Sequence, residues 1–373
     1  MIAAPFGLNL MLAGFFFLMG SIPKRQYWFG ATALSDTALI SGSTDGIGLT
    51  TARNLLTGNN DVAKVLIHGR DEARIQNAAH SLQKNKGIEK PGKKAGVVTT
   101  SRNSAVVSLP AADLSSVDGC YDLAQAVFER CSDGTSPNDD SNSSADGGTG
   151  SIDAPIASNL KILVNNAGVY SEDFVRTEDG LELTFAVNVL APFILTSMLL
   201  PMLLANGSNS SRSSRIVIAS SVSQSWKLPK NYWDDPQYRK RSYSAHGAYS
   251  ESKLLDAMLT IEMAHRLHDL AGIDTSIVTC NCLDPGTVNT KMLLDGWGPI
   301  GIPVENALDE TWCCTSTELE GTSGQYFVGR SSRRASGCAY DSFHREKLWQ
   351  TLSALAPRAA AEWDRAVDLY STK

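Results

Sequence analysis

Two side chains in the stretch "AYSESK" are spaced for proton chemistry: Tyr249 and Lys253, four positions apart. On a helix that interval puts both on one face, so a cationic amine can lie beside a phenol. A free phenol titrates near about 10 and is a poor base at neutrality. A neighbouring ammonium favours the phenolate and brings it toward the range useful in general acid/base work. The same spacing arises on solvated helices that do nothing, so the pair gains meaning only from its company.

The first company is "SGSTDGIG", residues 41–48, between a strand pattern and a helix pattern. Gly42 suits a tight turn, Gly46 lets the main chain approach a pyrophosphate, and Gly48 allows close helix packing. The helix amino terminus adds N–H donors and partial positive charge. Many glycine trios are merely turns; placement after the first strand points to nucleotide binding. The second strand ends "LIHGRD", with Arg70 where an NAD-selective site more often carries an acidic residue. A guanidinium there can pair with a 2′-phosphate, which favours NADP(H) over NAD(H). Asp71 follows at once, and an arginine on a solvated loop is the bland alternative.

The elements that must position these residues are legible from about residue 36. Strand-length runs ("TALISGS", "KVLIHGR", "AVVSL", "KILVNNAG", "RIVIASS", "IVTCNCLDPG") alternate with helical stretches such as "GLTTARNLL", "LELTFAVNVLAPFILTSMLLPMLL" and "SKLLDAMLTIEMAHRL". That alternation implies β-α-β units, hence an α/β protein with a doubly wound parallel sheet and helices on both faces. Residues 84–104 are Lys-rich and 131–158 are rich in Ser, Gly, Asn and Asp, too polar to repay the entropy of ordering. Both read as surface insertions in one domain, 36–355, followed by a carboxy-terminal tail, 356–373.

Residues 1–20 carry no charged side chain, and as a helix they would span ~30 Å, about one bilayer core. Lys24 and Arg25 follow, so the positive-inside tendency places the rest of the chain on the cytosolic side of a membrane anchored by residues 1–25. A signal peptide or a surface-bound helix is the alternative. Signal peptides usually carry their basic residues before the apolar run, not after it.

Of 373 residues, 33 are Lys or Arg and 39 are Asp or Glu, a net charge of −6. That offers no basic footprint for nucleic acid. The seven cysteines lack the spacing of a disulfide framework or a zinc site and read as reduced thiols, with Cys280 and Cys282 on one face of a buried strand. No metal is expected.

Taken in order, the motifs resemble the short-chain dehydrogenase/reductase family from about residue 37 to 349. "SGSTDGIG" is similar to its Thr-Gly-x-x-x-Gly-x-Gly loop, with Ser41 keeping the hydroxyl of the usual threonine; "ADLSS" resembles its adenine-contacting segment and "NNAG" its fourth-strand motif. The resemblance implies a Rossmann fold and a catalytic tetrad of Asn188, Ser221, Tyr249 and Lys253. Asn188 would hold a relay water through its backbone, and Ser221, preferred over Ser220, would hydrogen-bond the substrate oxygen. It implies cofactor contacts from Gly42, Ser43, Thr44, Gly46, Ile47 and Gly48, and from Arg70, Asp113 and Leu114. Further contacts would come from Asn166, Ala167 and Gly168, from Tyr249 and Lys253, and from Pro285, Gly286, Val288 and Thr290 of "DPGTVNT". Asn165 would brace the sheet.

"YSAHGAYSESKLL", the long loop after Ser221 and the carboxy-terminal "TELEGTSGQYFVGR" resemble the retinol-dehydrogenase-like branch, which includes retinoid and polyprenol enzymes. The implied activity is NADP(H)-dependent interconversion of a hydrophobic alcohol and its aldehyde or ketone, at a membrane such as the endoplasmic reticulum. Self-association is common in the family. An NADP-binding regulatory or scaffold protein with little catalysis is the alternative, and the insertions are where new partners would attach. Trp226, Tyr232, Trp233 and Tyr238 either line an apolar cleft or pack their long loop onto the domain.

Overall fold

Six of the Val-, Ile- and Leu-rich runs form parallel strands: β1 (Asp36–Ile40), β2 (Val62–Ile67), β3 (Ala105–Ser108), β4 (Leu160–Asn165), β5 (Ser214–Ala219) and β6 (Val278–Asp284). Two short strands, β7 (Tyr326–Val328) and β8 (Ser331–Arg333), extend the sheet to eight in the order β3-β2-β1-β4-β5-β6-β7-β8. β8 runs antiparallel to β7 at the edge, a departure from the all-parallel expectation. The computed structural model describes residues 36–58, 60–84, 105–131 and 159–372. The expected anchor at 1–25 lies outside the described residues, as do nearly all of the insertions at 84–104 and 131–158. The sheet resumes after each insertion, at Ala105 beside β2 and at Leu160 beside β1.

Strand alternation divides the core in two, because successive side chains point to opposite faces. On β1, Leu39 joins a cluster with helices α3 (Val117–Cys131), α5 (Ala191–Ser208) and α6 (Ala245–Ala264). Its neighbours Ala38 and Ile40 join the opposite cluster with α1 (Gly46–Thr57), α2 (Glu72–Lys84) and α8 (Asp309–Thr315). Two strand edges matter for function. β1 pairs with β2 on one side and β4 on the other, Ile40 lying beside both Ile67 and Val164. The chain therefore changes direction of growth at β1/β4, and a doubly wound sheet opens its ligand crevice at that switch point.

Ahead of α5 come a short turn of helix, α4 (Leu183–Phe185), and a π-turn (Ala186–Leu190), making one run over Leu183–Ser208. Among the described residues this run alone is long and apolar enough to cross a membrane, yet 94% of its most apolar window is buried. It is apolar all round because it is enclosed between the sheet, α3 and α10 (Pro357–Tyr370). That last helix corrects the expectation of a tail at 356–373. Ala359, Trp363 and Ala366 recur at helical spacing and are all buried, with Trp363 edge-to-face on Trp349 of α9 (Ser342–Leu355), ring centroids 5.0 Å apart. All seven cysteines are free; six are buried, and Cys280 and Cys282 face the α6 side of β6.

Candidate active site

The glycine-rich loop is tied down before any ligand is considered. The Ser41 hydroxyl donates to the Val164 carbonyl (3.3 Å) and accepts from the backbone N–H groups of Asn166 (3.1 Å) and Ala167 (3.0 Å). Asn166 Nδ2 returns the tie, donating to the carbonyls of Ser41 (2.9 Å) and Gly42 (3.1 Å). A serine therefore suffices where the family pattern has threonine, since only the hydroxyl is used. Gly42 adopts φ +65°, and a Cβ there would sit 2.9 Å from Ala167 Cα. At Gly48 a Cβ would meet Asn166 Nδ2 at 2.4 Å, so the first helix can pack this close only without a side chain. Asp45 caps α1 by accepting from Gly46 N–H (2.8 Å).

A cleft of about 380 Å³ runs along this loop at the carboxyl ends of β1 and β4. Five of the predicted loop contacts line it: Gly42, Thr44, Gly46, Ile47 and Gly48. Arg70, Asp113 and Leu114 lie along it too, as do Asn166, Ala167 and Gly168. Tyr249, Lys253, Pro285 and Thr290 also contribute to its lining. A second cavity of about 210 Å³ adjoins it and contains Ser221, Gly286 and Val288. Ser220, Tyr249, Pro285 and Thr290 border both. Two predicted residues line neither. Ser43 is fully buried, its hydroxyl donating to the Ile40 carbonyl (2.8 Å) and accepting from His68 N–H (3.0 Å). Asn188 is buried as well.

Asn188 sits in the π-turn, a distortion found often at functional sites. Its Oδ1 accepts from Val169 N–H (2.8 Å), and its Nδ2 donates to the Val169 carbonyl (3.1 Å) and to the Ser252 hydroxyl (2.9 Å). Ser252 in turn donates to the Tyr249 carbonyl (2.7 Å). The side chain thus staples the segment after β4 to the helix carrying Tyr249 and Lys253. Ser220 Oγ donates to the Lys253 carbonyl (2.7 Å), holding that helix from the other side, while Ser221 borders the second cavity together with Tyr249. Asn165 Nδ2 donates to Thr196 (3.0 Å), tying β4 to α5.

Lys253 Nζ donates to the Ala219 carbonyl (2.7 Å) and to Asp256 Oδ2 (2.9 Å), and lies 5.7 Å from the centroid of the Tyr249 ring. A phenol, an amine and a serine hydroxyl thus converge where a glycine-cradled cleft meets a second cavity. This arrangement suits proton exchange with a substrate oxygen beside a bound dinucleotide.

A sequence profile described as short chain dehydrogenase matches residues 151–232. Human retinol dehydrogenase 14 is 31% identical over 329 residues, covering 84% of each chain. The chain belongs to the short-chain dehydrogenase/reductase family. Its place is in the retinol-dehydrogenase-like branch, and it is an NAD(P)-dependent oxidoreductase. Mouse polyprenol dehydrogenase is 29% identical, covering 84% of this chain and 81% of its own length. Among solved structures, an uncharacterised Mycobacterium paratuberculosis protein aligns with a TM-score of 0.57 at 22% identity, over 86% of this chain and 93% of that one. The Pseudomonas aeruginosa RhlG/NADP active-site complex aligns at 0.52 and 20% identity, over 82% and 97%. Both share the fold.

Electrostatics in this dehydrogenase differ from the simple pairing argument. Burial raises the Tyr249 phenol above its ordinary value, and it outweighs the lowering by Lys253 and by the Ser221 hydroxyl; Asp256 and Asp284 raise it further. The ammonium four residues away predicts a lowered phenol, and desolvation of the ring reverses the sign. His68 was also missed. Its Nδ1 accepts from Gly42 N–H (3.1 Å) and its Nε2 meets the Ala112 carbonyl (3.0 Å), fixing a neutral tautomer that links the glycine loop to the Asp113 segment. Burial holds it down at about 4.

The aromatic residues near Tyr249 are not those of the long loop. Tyr232 and Tyr238 are buried beneath Arg241, which forks onto Glu251 at 3.0 and 3.1 Å; Trp233 donates to His344 (2.8 Å), and Trp226 is 81% exposed. Tyr232, Trp233 and Tyr238 pack their loop, Trp226 does not, and none of the four lines either cavity. Tyr170 and Trp297 instead flank Tyr249, with centroids 5.9 and 5.7 Å from its ring. Trp297 ends the short helix α7 (Lys291–Trp297), which Thr290 caps. Nothing in local sequence marked it, because its partners lie some 50 and 130 positions away.

Proposed function

We propose that this protein interconverts a hydrophobic alcohol and its aldehyde or ketone using NADP(H), with Tyr249 as the general acid/base. The observation that carries the reading is the position of Tyr249 on the border between the glycine-lined cleft and the second cavity. That second cavity presents Val222, Val288, Leu293, Trp297 and Ile300 around the Ser221 hydroxyl. The lining is mixed, since Ser223, Asp284, Thr287 and Thr290 also border it, and an apolar wall beside the Ser221 and Tyr249 hydroxyls suits a lipophilic alcohol. Retinol and polyprenol, named in the two relatives, are both hydrophobic alcohols.

The cleft fits a dinucleotide, since Gly42 and Gly48 leave main chain where any Cβ would collide and the amino terminus of α1 faces it. Arg70 and Arg74 line the same cleft and supply the charge for a 2′-phosphate. When bound, the nicotinamide carries the hydride. In oxidation Tyr249 takes the hydroxyl proton as the substrate carbon gives up its hydride, and in reduction it returns that proton. Ser221 donates to the substrate oxygen and steadies the charge that builds there. Lys253 opposes the rise in the phenol caused by burial. Asn188, through Val169 and Ser252, holds the Tyr249 helix in register.

Residues 1–25 anchor the enzyme in a membrane with the catalytic domain on the cytosolic side, where lipophilic substrates concentrate. Carbonate-resistant pelleting that persists after removal of 1–25 would refute the anchor. For the chemistry, Tyr249→Phe should lower turnover of retinoid or polyprenol substrates by at least about a hundredfold. NADPH binding, followed by nucleotide fluorescence, should be retained. Full turnover in that variant would sink the assignment.

A further inference from the structure

One turn beyond Lys253 on α6, a carboxylate is buried against the same amine. Asp256 is fully enclosed; its Oδ2 lies 2.9 Å from Lys253 Nζ, and its Oδ1 has no hydrogen-bond partner among the described residues. With Ala219 also accepting from Nζ at 2.7 Å, two of the three ammonium protons are committed inside the protein. The amine nonetheless borders the cleft and sits beside the Tyr249 ring. As a stabilising device this pair is a poor choice, because desolvating two charges offsets most of their attraction and one carboxylate oxygen stays unpartnered. Its placement makes sense in the chemistry of the neighbour.

We propose that Asp256 is a positioning residue that fixes Lys253 and sets how much of its charge reaches Tyr249. The inference rests on the reading of Tyr249 as the proton-transfer group. An ionised Asp256 makes the buried pair neutral overall and leaves the phenol little help. A protonated Asp256 leaves the ammonium unbalanced, and the phenolate gains. The other groups facing the pair do not confuse this. Tyr249 is the target; Cys282, on β6, is pushed up to about 12 by burial and stays neutral, and Asp284 acts on Tyr249 from the end of β6. From α6 itself the Thr260 hydroxyl donates to the Asp256 main-chain carbonyl. Burial raises the Asp256 carboxyl to about 7 against the pull of Lys253, so the pair changes state close to neutrality. As pH falls, proton uptake at Asp256 lowers the phenol and flattens the acid limb of the oxidation profile.

The test compares the ultraviolet phenolate titration of the full chain with that of Tyr249→Phe, in the native and Asp256→Asn backgrounds. The difference isolates Tyr249 and needs neither substrate nor turnover. Its midpoint should move to lower pH in Asp256→Asn. The acid limb of kcat/KM for alcohol oxidation should move the same way, giving roughly a three- to tenfold gain on that limb. An unmoved midpoint would make Asp256 merely structural, and an upward shift would mean it chiefly keeps Lys253 protonated; either overturns the proposal. Should Asp256→Asn fail to fold, infrared difference spectra of the native chain decide. A buried carboxyl that titrates together with a Tyr249 ring signal supports the coupling, and independent titrations refute it. If Tyr249→Phe keeps its turnover, the proposed function falls, whereas the phenol titration still reports on Asp256.

Discussion

A guanidinium at a strand end acts through its fork of donors, and Arg70 is placed for such an action: exposed at the end of β2, lining the cleft, and without a salt-bridge partner among the described residues. Arg74 and Lys291 nearby differ, since both pair with Asp45, at 3.4 and 2.6 Å. Lys291, by its hydrogen bond, holds the Asp45 carboxyl below its usual range. Arg70→Ala should therefore weaken NADP(H) about ten- to a hundredfold, the worth of a charge-assisted contact, and leave NAD(H) nearly unchanged. Equal losses for both cofactors, measured by titration calorimetry, would remove Arg70 from the basis of selectivity. That Tyr249, Lys253, Arg70 and the glycines gather along one cleft was legible in the sequence, because spacing along one element or place at a strand end puts them there. His68, Asp256 and Trp297 were not. Each is defined by a buried partner or a ring contact that the sequence does not announce.

At the scale of elements, apolar runs and their alternation placed the six principal strands, while β7 and β8 escaped notice at three residues each. The carboxy-terminal helix shows why short or sparse patterns mislead. Its buried stripe in "PRAAAEWDRAVDLY" consists of two alanines and one tryptophan, so the helix is amphipathic but carries little apolar bulk, and its role shows only once the receiving surface is known. That surface is an aromatic chain: Trp363 against Trp349, and Trp349 against Phe193 of α5 at 5.2 Å, with Arg266 4.2 Å over the Trp349 ring. Trp363→Ala should cost about 3–5 kcal/mol of stability through the cavity it leaves. The expected sign is a lower denaturant midpoint with an unchanged pH profile of activity. A loss below about 1 kcal/mol would mean that α10 is carried by the domain instead of closing it.

Across the whole molecule, buried titratable groups on the two faces of the sheet bend stability in opposite directions with pH. His68 has its folded value depressed to about 4 from 6.5, so the unfolded chain binds its proton first and stability falls as pH drops from 6.5 toward 4. Glu310 on α8 has the reverse sign: fully buried, both oxygens without a partner among the described residues, it is raised by burial to about 7 from 4.5. It carries no penalty below 4.5, and stability falls as pH rises from 4.5 through 7. Each shift corresponds to roughly 3 kcal/mol at its full extent. Glu310→Gln keeps the shape and removes the charge. Urea unfolding should show that variant gaining up to about 3 kcal/mol at pH 8 and almost nothing at pH 4.5. A gain of the same size at both values would assign the effect to packing around Cys313 and Cys314 and leave ionisation out of it. Because α8 packs on α1, which begins in the glycine loop, the native carboxyl should also loosen the nucleotide end of the cleft as it ionises. NADPH affinity in Glu310→Gln should then vary less between pH 6 and 8 than it does in the native enzyme.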